Sequence, residues 1–589
     1  MRAVSWLAGA LLALAATAYL AFGLHLGLEW IDEGHIVYPA WRVARGELPY
    51  RDFQQLYGPS VFVLNGALLR LFGEELAVVR AGLLAVKLLL GALVFVLARD
   101  VAGRGLALAV TAAFVVIWGT PIWVFNAPYA NHYALACQLL AVAVLLRGRA
   151  RPLVAALVAG VLVGVGMTFK QTAGVFAAVT VALFLLAPDR TQGEPAWRRL
   201  LWWAAVLATA GVVVAYLRER TPAALVLALP LAGLVAVAAG RGGGDRGGGV
   251  RAQPFAALLV FAAGAALAPV AVGVVFAAEG TLGRLLADTL LELPQRVAWF
   301  IPLKPPDVRG WFGAGTFGLV LWLPVFVPLA AVPLLAARRS GPGGDAAPWL
   351  LAWTAAGCCL AMYPAADMPH ALMLLPALLP LLAWALAVAA GPRGVRRAAV
   401  LALAAAIAVA ILRTPVQQAR AVIAAPIGPT LPRAAGIRTI PVAADDNAAL
   451  LALLAKEPAE RELLILPSEQ MTYFLAGRRA ALQDREYVLY LATTGFVHPE
   501  DARAAFDEEG AIARLVATRP LVIEHDVGPY LARVRTMFPT LAAFLDKYYR
   551  ERERAGRYTV LEPVMGPAGQ VDSSLVPPAP PSPPGALPH

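Results

Sequence analysis

Charge is scarce in this sequence of 589 residues: Asp, Glu, Lys and Arg make up 15% of it, 60% is hydrophobic, and the mean hydropathy is +0.68. That balance excludes a soluble multidomain enzyme and a disordered chain. Short alternating strands are lacking too, which excludes an outer-membrane barrel. Cysteine is limited to Cys137, Cys358 and Cys359, all in apolar runs and without metal-ligand spacing, so neither a disulfide framework nor a zinc site is indicated. The net charge is +11, yet residues 413–565 hold 19 Lys and Arg against 19 Asp and Glu. The excess therefore lies in the hydrophobic part, where cytoplasmic loops collect Arg and Lys, and nothing in it calls for a nucleic acid.

What is abundant is apolar runs long enough for a bilayer core of about 30 Å. They fall at 6–28, 76–98, 105–123, 132–146, 153–169, 172–187, 200–217, 222–240, 254–277, 314–336, 348–364, 370–390 and 396–412, which predicts about thirteen spans. Ala16-Thr17-Ala18 offers a small-residue cleavage site, but the apolar run continues to Leu28, so the first segment reads as an uncleaved span. With the N-terminus in the cytoplasm, the Arg-rich short loops, such as Arg147-Gly148-Arg149-Ala150-Arg151, fall on the cytoplasmic side. Two longer outer loops, 29–75 and 278–313, and the C-terminal part then lie outside.

The expected organisation is a transmembrane domain over 1–412, a soluble α/β domain over 413–565 and a disordered Pro-rich tail over 566–589. In the soluble part, helix-like stretches (446–456, 499–517, 528–550) alternate with β-like runs at 463–466, 521–523 and 558–561. In the first outer loop, Ile36, Val37, Ala40, Trp41, Val43 and Ala44 recur at helical spacing, which predicts a helix lying on the membrane surface. Val61 to Phe72 is too short to span and reads as an interfacial or re-entrant piece.

Directly after the first span comes Glu29-Trp30-Ile31-Asp32-Glu33-Gly34, with adjacent carboxylates at headgroup depth. Such a pair can supply a general base and an acceptor-positioning group, or simply flank a span. Asn131 and His132 open the fourth span, where they can reach sugar hydroxyls, although Asn131 also suits a helix cap. Asp367 and His370 stand three residues apart at a helix start and face one side, fit to bind sugar hydroxyls or phosphate, or to act as an N-cap and an interfacial His. His525-Asp526 follows a β-like run, where α/β domains bind ligands or turn.

The stretch Asp32-Glu33-Gly34, Ala40, Gly46-Glu47-Leu48-Pro49-Tyr50-Arg51-Asp52-Phe53 and Tyr57-Gly58-Pro59 resembles the first outer loop of the GT-C glycosyltransferases. More narrowly, it is similar to bacterial relatives of protein O-mannosyltransferases and lipid A aminoarabinose transferases. Gly166-Met167-Thr168-Phe169-Lys170-Gln171, Tyr363-Pro364 with Asp367, His370 and Pro376, and Leu466-Pro467-Ser468-Glu469 with Tyr473 to Arg479 resemble later motifs of that group. The resemblance implies a GT-C-like polytopic α-helical membrane protein with a small C-terminal α/β extracytoplasmic domain, in the bacterial inner membrane. It implies transfer of a hexose or pentose from a polyprenyl-phosphate carrier to a hydroxyl of a glycan, lipid or protein. Asp32 would accept the acceptor's proton and Glu33 would orient sugar or acceptor. Lys170, with Gln171, would offset charge on the leaving lipid phosphate, unless it merely snorkels from a helix end. Arg284, Arg296 and Lys304 compete for that role, and Tyr57 joins the binding residues. No cofactor is specified by these motifs, and a divalent metal stays open. The competing class is a multi-span transporter or lipid flippase without catalysis, against which stand the absence of an internal repeat and the clustering of ionisable residues at one surface.

Overall fold

A computed structural model describes residues 2–120, 126–188, 195–217, 221–241, 253–291, 319–337, 346–391, 394–424, 426–439, 441–483, 485–495, 497 and 499–564. The expectations for Arg296, Lys304, most of the loop 278–313 and the tail 566–589 lie outside the described residues. Each of the thirteen apolar runs has a helix, from Arg2–Leu24 (α1) to Val395–Ala424. Among the described residues, eight helices are long and apolar enough to cross a membrane, and several shorter apolar helices, among them Arg104–Trp118 and Gln171–Leu186, pack with them. The protein is a multi-pass membrane protein. Its outward side chains, such as Leu200, Leu207, Leu267 and Val270, are apolar and exposed, as a lipid-facing surface requires.

The helix-like stretches 499–517 and 528–550 each divide in two, the second at Pro539 and with its last residues in a strand, and two boundaries in the bundle also differ from the sequence expectation for physical reasons. The run 370–390 divides into Met368–Met373 and Leu375–Ala390, because Pro376 has no N–H to continue the first helix and instead starts the second. The final helix continues past 412 to Ala424, since the polar residues that follow, including Arg413, Gln417 and Arg420, are good helix formers.

The loop 29–75 forms two helices, Asp32–Ala44 (α2) and Ser60–Phe72 (α3). α2 is not an exposed surface helix: Glu33 through Arg42 are all buried. The reason is the C-terminal α/β domain, whose core is continuous with one side of α2. Val37, Tyr38 and Trp41 pack in one cluster with Leu463, Ile465, Tyr473 and Tyr558. The domain carries a four-stranded sheet in the order β1-β2-β4-β3, with β1 (Leu463–Leu466) parallel to β2 (Leu521–His525) and β4 (Tyr558–Pro563) antiparallel to both β2 and β3 (Tyr549–Ala555). β1 is buried on both faces: Leu463 and Ile465 face the α2 side, whereas Leu464 and Leu466 face a second core with Tyr487, Leu489 and Leu491.

Polar contacts lock the two parts together. The Ala480 N–H donates to the Tyr38 hydroxyl at 2.8 Å, and Arg42 pairs with Glu47 at 2.5 Å while donating to the Gln483 carbonyl at 3.1 Å. Gly34 sits so close to the helix Gln470–Ala476 of the C-terminal domain that a Cβ there would meet the Met471 nitrogen at 2.1 Å, so only glycine lets α2 dock this tightly.

Candidate functional site

Asp32 occupies the first turn of α2, where the helix dipole favours an anion. Its carboxylate is held from both sides. Oδ2 accepts the Tyr129 hydroxyl at 2.8 Å and Oδ1 accepts the Tyr490 hydroxyl at 2.9 Å. The same carboxylate lines a cleft of about 430 Å³, open mouth included, together with Tyr57, Asn131, Asp367, His370 and Tyr490. Residues from the first outer loop, two helix starts of the bundle and the C-terminal domain thus converge on one concavity.

Across the cleft, Asp367 caps the helix Met368–Met373 by accepting the His370 N–H at 3.0 Å, and its Oδ1 also lies 2.7 Å from His370 Nδ1. The pair is an N-cap, and it also presents a carboxylate and an imidazole to the cleft. Asn131 donates to Met373 Sδ at 3.3 Å, and because Tyr129 takes the cap position of its helix, Asn131 is not the cap. Lys170 forms the extended break between the helices Pro152–Phe169 and Gln171–Leu186, with Nζ 5.7 Å from the Tyr57 ring centre. Here too a close approach sets the geometry, since a Cβ on Gly58 would meet the Thr168 carbonyl oxygen at 2.1 Å.

Five expected residues take other positions. Adjacent residues on a helix point about 100° apart, so Glu33 turns away from Asp32 into the bundle. There it meets Arg80 through both oxygens, each at 2.7 Å, and it does not line the cleft. Gln171 ties two segments together by donating to the Leu56 and Thr289 carbonyls, both at 2.8 Å. His132 is buried behind the cleft against Trp118, with ring centres 4.8 Å apart. Arg284 is exposed and donates to the Arg51 carbonyl at 3.4 Å. His525 is paired with Glu469 inside the C-terminal domain and stacks on Tyr558.

The electrostatics separate the two cleft carboxyls. Burial raises the Asp32 pKa above the usual carboxylate range, against the opposing hydroxyls of Tyr129 and Tyr490 and the charge of His370. Burial acts on Asp367 in the same sense, but the contacts from His370 outweigh it and hold that carboxyl low. Lys170 is brought down to about 8 by burial, with Asp367 opposing the shift. Glu29, next to the site, is pushed up to about 8 by burial and by the nearby charge of Asp32. A carboxyl with a raised pKa beside one with a lowered pKa is the arrangement by which an active site divides proton-accepting and charge-binding roles.

The solved structures agree with this architecture. ArnT from Cupriavidus metallidurans in the apo state is 12% identical and aligns over 95% of this chain and 98% of its own at a TM-score of 0.51. The same protein bound to undecaprenyl phosphate aligns over 94% and 98%, again at 12% identity and a TM-score of 0.51. The oligosaccharyltransferase of Archaeoglobus fulgidus, in complex with Zn and sulfate, is 15% identical over 93% of this chain and 72% of its own, at a TM-score of 0.47. No protein-family model and no curated protein matches the sequence. The fold is that of the GT-C glycosyltransferases.

Within this GT-C fold, the site includes residues that sequence reasoning missed. Tyr129 was within reach, since it directly precedes the helix that carries Asn131. Tyr490 carried no signal, because 458 positions separate it from Asp32. His35, which stacks on Tyr490, reads in the sequence as one more position of a helical stripe. Among the described residues no group of three or more His, Cys, Asp or Glu side chains is placed to hold a metal ion.

Proposed function

We propose that this protein is a membrane glycosyltransferase that moves a sugar, hexose or pentose, from a polyprenyl-phosphate carrier to a hydroxyl of a glycan, lipid or protein at the outer face of the bacterial cytoplasmic membrane. One observation carries the reading: the Asp32 carboxylate lines the cleft with a raised pKa, opposite a low-pKa carboxylate paired with His370. The acceptor oxygen attacks the anomeric carbon as its proton passes to Asp32, and the bond to the carrier phosphate breaks. Negative charge grows on the departing phosphate, and Lys170, poorly hydrated beside Tyr57, stabilises it more than a cation in water would. Asp367, His370 and Asn131 are positioned to bind sugar hydroxyls. ArnT bound to undecaprenyl phosphate supports a carrier of that class.

The test is direct. Purified protein is incubated with a panel of polyprenyl-phosphate sugars, and release of the lipid phosphate is followed. Release with at least one donor that depends on an added hydroxyl acceptor supports the reading. A transporter or flippase would move the intact carrier across a proteoliposome membrane with no release, and that result would replace it.

A further inference from the structure

We infer that Tyr490 of the C-terminal domain is a positioning residue for Asp32, so that this domain is a working part of the site and not an appendage. The role assigned to Asp32 rests on the function proposed above, while the contact itself does not. The Tyr490 hydroxyl reaches Asp32 Oδ1 at 2.9 Å, and its ring lies flat on His35, with centres 4.0 Å apart and planes at 6°. Asp32 and His35 are three residues apart on α2, which puts them on one side of the helix, so one tyrosine grips both. Burial pushes His35 down to about 3, so the ring under Tyr490 is neutral and adds no cation beside the carboxylate.

Tyr490 is itself held rigidly. It lies on the helix Glu486–Thr494, and the carboxylate at the start of that helix accepts from the Tyr473 hydroxyl at 2.9 Å and the Ser468 hydroxyl at 3.2 Å. At its other end, the Thr493 hydroxyl accepts the Ser468 N–H at 3.0 Å. Both ends are thereby pinned to the segment leaving β1, which fixes where the phenol points. With Tyr129 on the other oxygen, each oxygen of the Asp32 carboxylate is held by one hydroxyl while the residue lines the cleft, and each keeps a lone pair beyond that contact.

Each hydroxyl donates to the ionised form, so removing one weakens that form. The other groups that act on Asp32 are Glu29 on its own segment, Tyr57 from the first outer loop, and Asp367 and His370 across the cleft. None of these is altered by Tyr490→Phe, which also keeps the ring on His35.

The experiment follows the carboxyl band of Asp32 by infrared pH titration of the full-length protein in lipid nanodiscs, the band being assigned by its loss in Asp32→Asn. The midpoint in Tyr490→Phe is expected to move to higher pH than in the wild type, in protein that remains folded and whose unfolding midpoint is unchanged at pH values below the Asp32 titration. With a donor and acceptor that turn over, kcat should fall by about tenfold with little change in KM, and its acid limb should move up with the infrared midpoint. An unmoved infrared midpoint in Tyr490→Phe would overturn the inference. A shifted midpoint together with full transfer by Asp32→Asn would keep the contact and remove the base assignment, so the two failures are separable.

Discussion

Glu33 and Arg80 form a two-pronged ion pair with both contacts at 2.7 Å, the carboxylate fully buried and the guanidinium 2% exposed. The pair anchors more than itself, because Arg80 also donates to the Leu24 carbonyl at 2.6 Å and the Gly27 carbonyl at 3.0 Å. It therefore fixes the turn between α1 and α2 from which Asp32 projects. Removing one charge from such a pair leaves the other buried and uncompensated, which costs about 3–5 kcal/mol. Glu33→Gln should lower the unfolding midpoint and the yield of folded protein, with transfer falling in proportion to the folded fraction. A Glu33→Gln protein as stable as the wild type but inactive would instead give Glu33 a direct role in the reaction.

Asp32→Asn isolates the chemistry from the fold. The asparagine keeps an oxygen for one tyrosine hydroxyl, and it removes a carboxylate whose ionisation burial already disfavours. Stability should be unchanged or slightly higher, while turnover falls by about 10²–10⁴-fold, the range for loss of a general base. Unfolding and steady-state transfer measured on the same preparation check both halves. Wild-type turnover would remove Asp32 from the mechanism.

These two predictions also show what the sequence made legible. Runs of apolar residues between Arg clusters record the solvent, so a helix in each of the thirteen apolar runs was readable. Asp32, Asn131, Asp367 and His370 could be singled out because polar groups at the end of an apolar run are conspicuous, Tyr57 only through the resemblance of its loop to that of the GT-C enzymes, and the fold brings all five to one cleft. Glu33 shows the limit. Adjacency in sequence does not distinguish a side chain facing the cleft from one turned into the bundle, since the partner that decides it, Arg80, belongs to another helix. β3, with the sequence Tyr549 to Ala555, was hidden for another reason: as a charged edge strand it lacks the apolar alternation that marks a half-buried one. The Tyr490 contact with Asp32 is set by the docking of two domains and has no local trace at all.

Topology can be tested without any substrate. If the Arg-rich short loops mark the cytoplasmic side, as the sequence leads one to expect, the loop around position 243 is cytoplasmic and Asp446 lies on the opposite side. A periplasmic phosphatase reporter fused near Asp446 should be active, and one fused near Gly243 inactive. The reverse pattern would put the cleft on the cytoplasmic side and exclude a carrier presented at the outer face.

The last prediction joins Lys170 to the pH dependence of transfer. A base must be unprotonated to accept the acceptor's proton, so activity is lost as pH falls through the Asp32 pKa, which burial sets above the usual carboxylate range. A cation that steadies the leaving phosphate must be protonated, so activity is also lost as pH rises through the Lys170 pKa of about 8. The profile of kcat/KM in free enzyme should therefore be a bell whose alkaline limb lies near 8. Lys170→Arg should move that limb to higher pH, because a guanidinium stays charged, while lowering the maximum because a planar fork replaces a compact ammonium at the Tyr57 ring. Lys170→Met should abolish the limb and lower transfer across the whole range. An alkaline limb that survives unchanged in Lys170→Met would assign it to another group and return Lys170 to the role of a lysine that only packs against Tyr57.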